Sequence, residues 1–310
     1  MDLFKLLVGL VILVVGGNFL VKGSVALAYR FNISMVVVGL TVVSFSTSAP
    51  ELIVSVYSAI SGHSDIAIGN VIGSNIANLS LVLGATACFF PISFDKRLYS
   101  FDIPLMFLSS VLFGIFLYTQ SRISFVEGTI FVSLIILLTI YLIFQSPKEL
   151  QSNSYIYIKQ ISFVSLIFYL IFGAISLYFG SRFLVEGAVG IARYYGYTER
   201  LISLTVIAFG TSVPELTTSI IAAYKREKGL SIGNLIGSNI FNILAVIGMT
   251  SMIQPIVCNH PSLFNVDFLW MLGLSTMLFL TILFGTENKI GRLKGLLLFV
   301  SYFFYLAFIF

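Results

Sequence analysis

The feature that most constrains this chain is a sequence repeat that returns after 164 residues without an insertion. Between Gly16 and Gly84, 29 of 69 positions are identical to the residue 164 positions later. Chance agreement between two apolar helices would fall on leucine, isoleucine and valine. The identities here include proline, glutamate, asparagine, serine and glycine, which are costly in a helix or in a bilayer. We therefore interpret the chain as two homologous halves.

Two short strings carry most of this identity. The first string reads TSAPE at residues 47–51 and returns as TSVPE at residues 211–215. The second reads GNVIGSNIAN at residues 69–78 and returns as GNLIGSNIFN at residues 233–242. Both strings interrupt apolar sequence with polar residues, so they mark the place where each half carries its chemistry.

The rest of the chain is too apolar for a soluble protein. Apolar residues make up 58% of the sequence and charged residues only 10%, whereas a soluble domain carries about 25% charged residues. This composition excludes a cytosolic enzyme and a nucleic-acid-binding module. A membrane-spanning helix needs about 20 apolar residues. Ten segments meet that need, and they predict an all-α polytopic membrane protein: 6–24, 33–60, 66–90, 103–119, 123–144, 161–180, 201–224, 230–253, 263–284 and 293–310.

The repeat and the ten segments together predict an inverted topology. Five spans form each half, at residues 1–146 and 161–310, and a polar cytoplasmic linker at 147–160 joins them. Because five is odd, the second half enters the membrane from the opposite side, an arrangement typical of transporters. If both termini lie outside, the inward loops carry eleven lysine and arginine residues and the outward side four. The positive-inside rule then favours N-out and C-out.

Two carboxylates occupy the deepest positions of the predicted spans. Glu51 and Glu215 lie far inside long apolar segments, where an unpaired charge costs several kcal/mol. No lysine or arginine lies equally deep in either polar repeat, so a mobile cation or a proton is the expected partner. The other acids within the spans lie near span starts, where we expect them to cap helices: Asp65, Asp102, Glu127 and Asp267.

The residues around each glutamate supply oxygen atoms without sulfur or imidazole. Pro50 and Pro214 remove a backbone donor and clash with the preceding turn, so each helix is expected to break there and release carbonyl oxygens. Helical spacing places further polar side chains on the same faces. In the first half these are Ser44, Thr47, Ser48, Ser74 and Asn78, and in the second half they are Thr211, Ser212, Ser238 and Asn242, with Ala208 at the position of Ser44.

An all-oxygen donor set selects a hard cation. Carboxylate, hydroxyl, amide and carbonyl oxygens favour Ca²⁺, Mg²⁺, Mn²⁺ or Na⁺ over zinc or copper. The flexible geometry of Ca²⁺ suits broken helices better than the strict octahedron of Mg²⁺. Two glutamates carry a formal charge of −2, which one Ca²⁺, two Na⁺ or two protons would neutralise. Competition for one pair of carboxylates is therefore a simple basis for exchange.

With these residues, the sequence resembles the cation/Ca²⁺ exchanger superfamily and, within it, the prokaryotic Na⁺/Ca²⁺ exchanger branch. The polar repeats at 39–84 and 203–248 and the ten-span layout carry the resemblance. It implies that Glu51 and Glu215 are the central Ca²⁺ and Na⁺ ligands in alternating access. It also implies that residues 6–30 and 161–194 form a sliding gate. Further ligand oxygens would come from the side chains of Thr47, Thr211, Ser74 and Ser238 and the backbone carbonyls of Ser44 and Ala208.

Other functions remain open at this stage. The same fold could exchange Ca²⁺ for protons, since two glutamates can carry two protons. Some members of the superfamily have aspartate where this chain has Asn242, so K⁺ dependence does not carry over. A passive cation channel and a membrane enzyme are weaker alternatives, because neither a subunit-built pore nor a catalytic motif is evident. We expect no cofactor, no nucleic acid and no obligate protein partner, and location in a prokaryotic cell (inner) membrane.

Overall fold

The computed structural model describes residues 1–93, 97–146, 161–197, 208–283 and 289–309. This part of the chain is almost entirely helical. In the first half the helices are α1 (Asp2–Phe31), α2 (Met35–Thr47), α3 (Ala49–Ile60), α4 (Ser64–Phe89), α5 (Leu98–Gln120) and α6 (Phe125–Phe144). In the second half they are α7 (Phe163–Tyr194), α8 (Ala208–Thr211), α9 (Val213–Tyr224), α10 (Lys228–Ile253), α11 (Leu269–Leu283, after a π-helical segment Leu263–Phe268) and α12 (Arg292–Ile309).

Within the described residues, eight helices are long and apolar enough to cross a membrane, or nine if α2 and α3 form one bent span. The prediction of an all-helical membrane protein is confirmed at this level. The predicted span 201–224 is described only from Ala208 onward, as α8 and α9. The predicted linker at 147–160 lies outside the described residues.

Helices α1 and α7 extend well beyond the apolar runs 6–24 and 161–180 from which they were predicted. Their additional turns carry charged residues that neutralise one another. Lys5 Nζ lies 2.8 Å from Glu186 Oε2, and Arg182 Nε lies 2.9 Å from Glu186 Oε1. Within the predicted runs themselves, Lys22 lies over the ring of Tyr169, with Nζ 4.6 Å from the ring centroid. Pairing and aromatic contact allow these charges to stay helical where isolated charges would favour a loop.

The chain divides into two compact units, each drawn from both halves of the sequence. The first unit consists of Met1–Thr47 and Ile143–Asn234, and the second of Ser48–Leu142 and Leu235–Phe310. The predicted boundary between the halves at 147–160 concerns the sequence repeat, and the compact units follow a different division. Each unit therefore joins a polar string of one half to elements of the other half.

In the first unit, α1 and α7 pack along their lengths through a ladder of glycines and leucines. Glycines recur every seven residues on both helices, and each one receives a leucine from the other helix. A Cβ atom at Gly9 would lie 2.5 Å from the backbone nitrogen of Leu184, so only glycine allows this close approach. The contacts are Gly9 with Leu184, Gly16 with Leu177, Gly23 with Leu170, Gly173 with Leu20, Gly180 with Leu13 and Gly187 with Leu6.

Every pair in this ladder has its counterpart 164 residues away. Two left-handed backbone positions show the same relation. Asn32 (φ 56°) corresponds to Gly196 (φ 79°), and Gly62 (φ 81°) corresponds to Arg226 (φ 67°). The repeat thus persists in backbone conformation at positions where the two sequences differ.

In the second unit, short strands and an aspartate join the ends of helices that are distant in sequence. Strand β1 (Ile92–Ser93) pairs with β4 (Lys289–Ile290), and β2 (Arg122–Ile123) pairs with β3 (Ile256–Val257), both antiparallel. Asp65 Oδ1 accepts a hydrogen bond of 2.7 Å from the backbone nitrogen of Asn259. These contacts fix which helix ends lie on the same side of this unit.

The acids near span starts do not share one role. Glu127 accepts a 2.6 Å hydrogen bond from the backbone nitrogen of Ser124 and so caps α6 as expected. Of the other three, Asp65 lies in the first turn of α4 as expected, but the capping prediction is wrong for Asp102, which makes no side-chain capping bond, and for Asp267, which lies within the segment Leu263–Phe268. Asp65 also binds the loop at Asn259, Asp102 lies 4.0 Å from Arg97, and Asp267 accepts a 2.8 Å hydrogen bond from the hydroxyl of Tyr305. The contacts of Asp65 and Asp267 are tertiary, so sequence position alone does not reveal them.

Candidate functional site

Both TSxPE strings break their helices, as the prolines predict. The break lies two residues before each proline, at Ser48 between α2 and α3 and at Ser212 between α8 and α9. Pro50 and Pro214 then lie within the first two residues of the new helix. That position needs no backbone donor and accepts the fixed φ of proline. The first break bends the segment by 46°.

Each break places a glutamate in the first turn of the new helix. Glu51 lies in the first turn of α3 and Glu215 in the first turn of α9. Both side chains are completely buried, with 0% exposure. The unpaired N–H groups and the macrodipole at a helix N-terminus stabilise a carboxylate there. The broken helix therefore lowers the cost of holding a negative charge deep in the protein.

An asparagine from the second string holds each of these first turns. Asn70 Nδ2 donates to the carbonyl oxygen of Glu51 at 3.1 Å and to Ser55 Oγ at 2.9 Å. In the second half, Asn234 Nδ2 donates to the carbonyl oxygen of Glu215 at 3.5 Å and to Ser219 Oγ at 3.0 Å. The four contacts form two pairs related by the 164-residue offset. The repeated sequence therefore encodes a repeated hydrogen-bond arrangement around each glutamate.

Asn234 also connects α10 to the C-terminal end of α2 within the first unit. Thr47 Oγ1 lies 3.2 Å from Asn234 Oδ1, and Ser44 Oγ donates to the backbone oxygen of Asn234 at 3.0 Å. Because the amide oxygen accepts the Thr47 hydroxyl hydrogen, the lone pairs of that hydroxyl are directed elsewhere. A hydroxyl oriented in this way can act as a cation ligand.

Two glycines permit this contact between α2 and α10. A Cβ atom at Gly39 would lie 2.6 Å from the carbonyl oxygen of Leu230, and one at Gly233 would overlap the carbonyl oxygen of Val36. The spacing of four between the glycines of the GNxIGSN strings favours close helix packing, and Gly233 packs in this way. The equivalent Gly69 does not, since its nearest neighbour is the Leu263 side chain at 3.5 Å, and at Gly73 nothing lies within 4 Å.

At the helix break in the second TSxPE string, a serine of another helix donates a hydrogen bond to the backbone. Ser181 Oγ donates to the carbonyl oxygen of Gly210 at 2.6 Å, which is the carbonyl that Pro214 prevents from accepting a helical bond. The equivalent of Ser181 in the first half is Gly17, which has no side chain to donate. The two breaks are therefore stabilised differently.

In the second unit, Glu51 lies on a helix that packs against one of two equivalent π-helical turns. Helix α3 contacts the Ser64–Ala77 segment of α4 and the Asn242–Ile247 turn of α10. The π-turns begin at Asn78 and at Asn242, which are equivalent residues in the two halves. Such turns are rare and frequently occur at functional sites, because they change the direction of neighbouring side chains. The helix that carries Glu51 thus packs against parts of both helices that contain the GSNIxN strings.

Several oxygen atoms of this group have no hydrogen-bond partner among the described residues. They are Ser74 Oγ, Asn78 Oδ1 and Asn242 Oδ1, and in the first unit Ser212 Oγ. All four side chains are at most 2% exposed. A buried polar atom without a partner costs about 1–3 kcal/mol, so this arrangement of oxygens suits a ligand that accepts electron pairs. A hard cation is such a ligand.

The predicted site residues fall into two groups. The first unit holds Ser44, Thr47, Ala208, Thr211, Ser212 and Glu215, and the second holds Ser48, Glu51, Ser74, Asn78, Ser238 and Asn242. All of them are buried except Thr211, which is partly exposed, and Ala208, which is described only as the first residue of α8. Helical spacing did not reveal the roles of Asn70, Asn234, Ser55 and Ser219, although their identity across the repeat was a visible signal.

Comparison with known proteins gives a consistent result over nearly the whole chain. The family described as "Sodium/calcium exchanger protein" matches residues 2–144 and 165–310. A putative antiporter, CaxA, of Alkalimonas amylolytica is 35% identical over 302 residues, covering 96% of this chain and 94% of its own. The sodium/calcium exchanger MaX1 of Methanosarcina acetivorans is 30% identical over 344 residues, covering 98% and 96%.

Solved structures of one transporter share this fold. The sodium-calcium exchanger NCX_Mj, from crystals soaked in 10 mM Na⁺ without Ca²⁺, matches with a TM-score of 0.85 and 32% identity over 99% of this chain and 98% of its own. The same transporter soaked without either ion matches with a TM-score of 0.84 and 31% identity.

Proposed function

Since this chain belongs to the sodium/calcium exchanger family, we propose that it is a secondary active antiporter that exchanges Ca²⁺ for Na⁺ across a membrane. Members of the family and the matching fold are transporters rather than enzymes. The long apolar helices make the chain an integral membrane protein. The choice of Na⁺ as the driving ion and the assignment of the ligands are our proposals.

The observation that carries this proposal is the repeated environment of the two glutamates. Glu51 and Glu215 are each fully buried in the first turn of a broken helix, and an equivalent asparagine holds each turn. A structural ion pair would require only one buried carboxylate in such an environment, whereas this chain has two equivalent ones. Two equivalent carboxylates carry the charge that one Ca²⁺ or two Na⁺ would neutralise, so either ionic load leaves the protein with the same net charge.

We assign the ligands from the oxygens around these turns. Glu51 and Glu215 would be the principal ligands, and the neutral ligands would be Ser44, Thr47, Ser48, Ser74, Asn78, Ala208 (through its carbonyl), Thr211, Ser212, Ser238 and Asn242. The buried oxygens of Ser74, Asn78, Asn242 and Ser212 that have no partner among the described residues support this assignment. Because Ca²⁺ and Na⁺ would share both carboxylates, binding of one would displace the other.

Contacts within the second unit support ten spans. Strands β2 and β3 pair directly, so residues 122 and 257 lie on the same side of the membrane and the chain between them crosses an even number of times. Three complete spans, α6, α7 and α10, lie between them. A fourth crossing by the segment that contains α8 and α9 completes an even number. This parity favours two five-span halves, which then have inverted topology.

The proposed location follows from the relatives. The matches include bacterial and archaeal proteins, one of them an inner membrane protein of Escherichia coli that is 32% identical over 301 residues. We propose a prokaryotic cell membrane, with both termini outside as the distribution of lysine and arginine favours.

Transport in proteoliposomes tests the function directly. Vesicles loaded with Na⁺ and diluted into Na⁺-free buffer at constant pH should accumulate ⁴⁵Ca²⁺, whereas vesicles loaded with choline should not. Uptake driven by an imposed pH gradient in the absence of Na⁺ would instead assign the chain to Ca²⁺/H⁺ exchange. Downhill Ca²⁺ entry that needs neither gradient would indicate a channel.

A further inference from the structure

Asn75, which is outside the proposed ligand set, makes a direct contact with one of the proposed ligands. Asn242 Nδ2 donates to Asn75 Oδ1 at 3.0 Å, and Asn75 Nδ2 donates to the backbone oxygen of Asn239 at 3.3 Å. All three residues lie in the second unit and are at most 1% exposed. Solvent therefore cannot substitute for any of these partners.

This chain of contacts determines which way each amide faces. A backbone carbonyl can only accept, so the carbonyl of Asn239 requires the nitrogen side of the Asn75 amide. The oxygen of the Asn75 amide then faces Asn242, and Asn242 donates to it with its amide nitrogen. The Oδ1 atom of Asn242 consequently faces away from Asn75, and it is buried without a hydrogen-bond partner among the described residues.

The equivalent residues of the other half lack this arrangement. Asn239, the counterpart of Asn75, donates to the carbonyl oxygen of Leu235 on its own helix at 2.8 Å. Asn78, the counterpart of Asn242, has no partner for either amide atom among the described residues. In the described part of the chain, a side chain of the other half fixes the amide of Asn242 and none fixes that of Asn78.

We propose that Asn75 is a positioning residue that holds the amide of Asn242 with its oxygen directed at the transported cation. This proposal rests on the proposed function, because it takes Asn242 to be a cation ligand. An amide rotated by 180° would present its NH₂ group, which repels a cation and donates no electron pair. Without Asn75, the two orientations of Asn242 differ little in energy before the cation binds. Binding must then select one of them, which weakens the apparent affinity.

The proposal makes a distinct prediction for aspartate at position 242. A carboxylate has oxygens on both sides, so its rotation changes nothing and no residue is needed to orient it. The Oδ1 atom of Asn75 would instead face a negative charge. Removal of the Asn75 side chain should therefore weaken cation binding when residue 242 is asparagine and should be harmless or favourable when residue 242 is aspartate.

A double-mutant cycle in proteoliposomes tests this. The half-saturating ⁴⁵Ca²⁺ concentration for Na⁺-driven uptake is measured for the full chain, for Asn75→Ala, for Asn242→Asp and for the double variant. We expect Asn75→Ala to raise it about twofold in the original background, because only about half of the molecules then hold the Asn242 amide in the competent orientation. In the Asn242→Asp background the half-saturating concentration should stay unchanged or should fall.

Equal losses in both backgrounds would overturn the proposal, because a purely structural role of Asn75 does not depend on residue 242. Thermal unfolding of all four proteins in detergent shows whether a loss of affinity comes from a loss of stability. If Asn75→Ala is poorly folded, Asn75→Ser replaces it. Asn242→Ala tests the assignment of Asn242 as a ligand separately from the role of Asn75. If Asn242→Ala leaves uptake unchanged, the ligand assignment is wrong. If Asn242→Ala impairs uptake and Asn75→Ala does not, only the role of Asn75 is wrong.

Discussion

The side-chain nitrogen of Asn70 donates to the backbone oxygen of Glu51 at 3.1 Å, and the same contact recurs between Asn234 and Glu215 at 3.5 Å. The asparagine thus holds each glutamate through its backbone oxygen. Since both members of each pair are identical across the repeat, this relationship explains why the GN dipeptide accompanies the TSxPE string in both halves.

Replacement of Asn70 by leucine should destabilise the protein. The change removes the two hydrogen bonds of Asn70 and leaves the Glu51 carbonyl and Ser55 Oγ with fewer partners. At about 0.5–1.5 kcal/mol for each bond, the free energy of unfolding should fall by about 1–3 kcal/mol. Chemical unfolding in detergent measures the change.

Asn18 offers a matched control for that experiment. Among the described residues, its partly exposed side chain donates to the Val14 carbonyl of its own helix, so Asn18→Leu should change stability by less than about 0.5 kcal/mol. Similar effects of the two substitutions would contradict the role we assign to Asn70.

Glycines 233 and 69 are equivalent in sequence but should respond oppositely to alanine. A methyl group at Gly233 would overlap the carbonyl oxygen of Val36, so Gly233→Ala must move α10 away from α2 and disturb the contact of Asn234 with Thr47. Overpacking of this kind costs about 1–3 kcal/mol, and uptake of ⁴⁵Ca²⁺ should fall sharply. A thermal unfolding scan and the uptake assay measure both effects.

Gly69→Ala is the internal control. Its methyl group would meet only a leucine side chain at 3.5 Å, and alanine favours a helix over glycine by up to about 1 kcal/mol. Gly69→Ala should therefore be neutral or stabilising and should retain uptake. If both variants lose uptake equally, the close contact between α2 and α10 has no special role.

The two native cysteines should be accessible from opposite sides of the membrane. Cys258 follows β3, on the side that we predict to be outside, and Cys88 contacts the backbone of Arg292, on the side that we predict to be inside. In intact cells, an impermeant maleimide should label Cys258 in the Cys88→Ser variant. It should label Cys88 in the Cys258→Ser variant only after permeabilisation, and the reverse pattern would show N-in topology.

The labelling of Cys258 should also depend on pH in a defined direction. Burial, and then the negative charge of Asp65, raise the pKa of the Cys258 thiol above that of an ordinary cysteine. Because the thiolate is the reactive form, the labelling rate should keep rising at pH values where a free cysteine is already fully ionised. Asp65→Asn should lower the pKa and increase the rate near pH 8, and an unchanged rate would contradict the electrostatic contribution of Asp65.

Much of this architecture could be predicted from the sequence because membrane helices and their breaks depend on local properties. The apolar runs located the described spans, and Pro50 and Pro214 located the breaks to within two residues. The lengths of α1 and α7 were underestimated, since Lys5, Arg182 and Glu186 resemble loop residues until their mutual pairing is known. The pairing of Lys5 with Glu186 joins positions 181 residues apart and has no local signal, although Arg182 and Glu186 form a local i, i+4 pair.

The candidate site, too, could be predicted only where local sequence determines the structure. The burial of Glu51 and Glu215 follows from their depth in apolar sequence, and their flanking oxygens follow from helical spacing. The orientation of Asn242 by Asn75 requires the backbone carbonyl of Asn239, and a main-chain group leaves no trace in residue identity. The different contacts at Gly233 and Gly69 likewise arise from their surroundings, since their own sequence motifs agree.

The central claim is that Glu51 and Glu215 together bind the exchanged cations, and Na⁺-driven ⁴⁵Ca²⁺ uptake by charge-neutralising variants tests it most directly. Glu127→Gln serves as the control, because glutamine can cap α6 as glutamate does. We predict that Glu51→Gln and Glu215→Gln each reduce uptake at least a hundredfold while both proteins remain folded, and that Glu127→Gln retains it. Uptake that persists in folded Glu51→Gln and Glu215→Gln proteins would contradict the account.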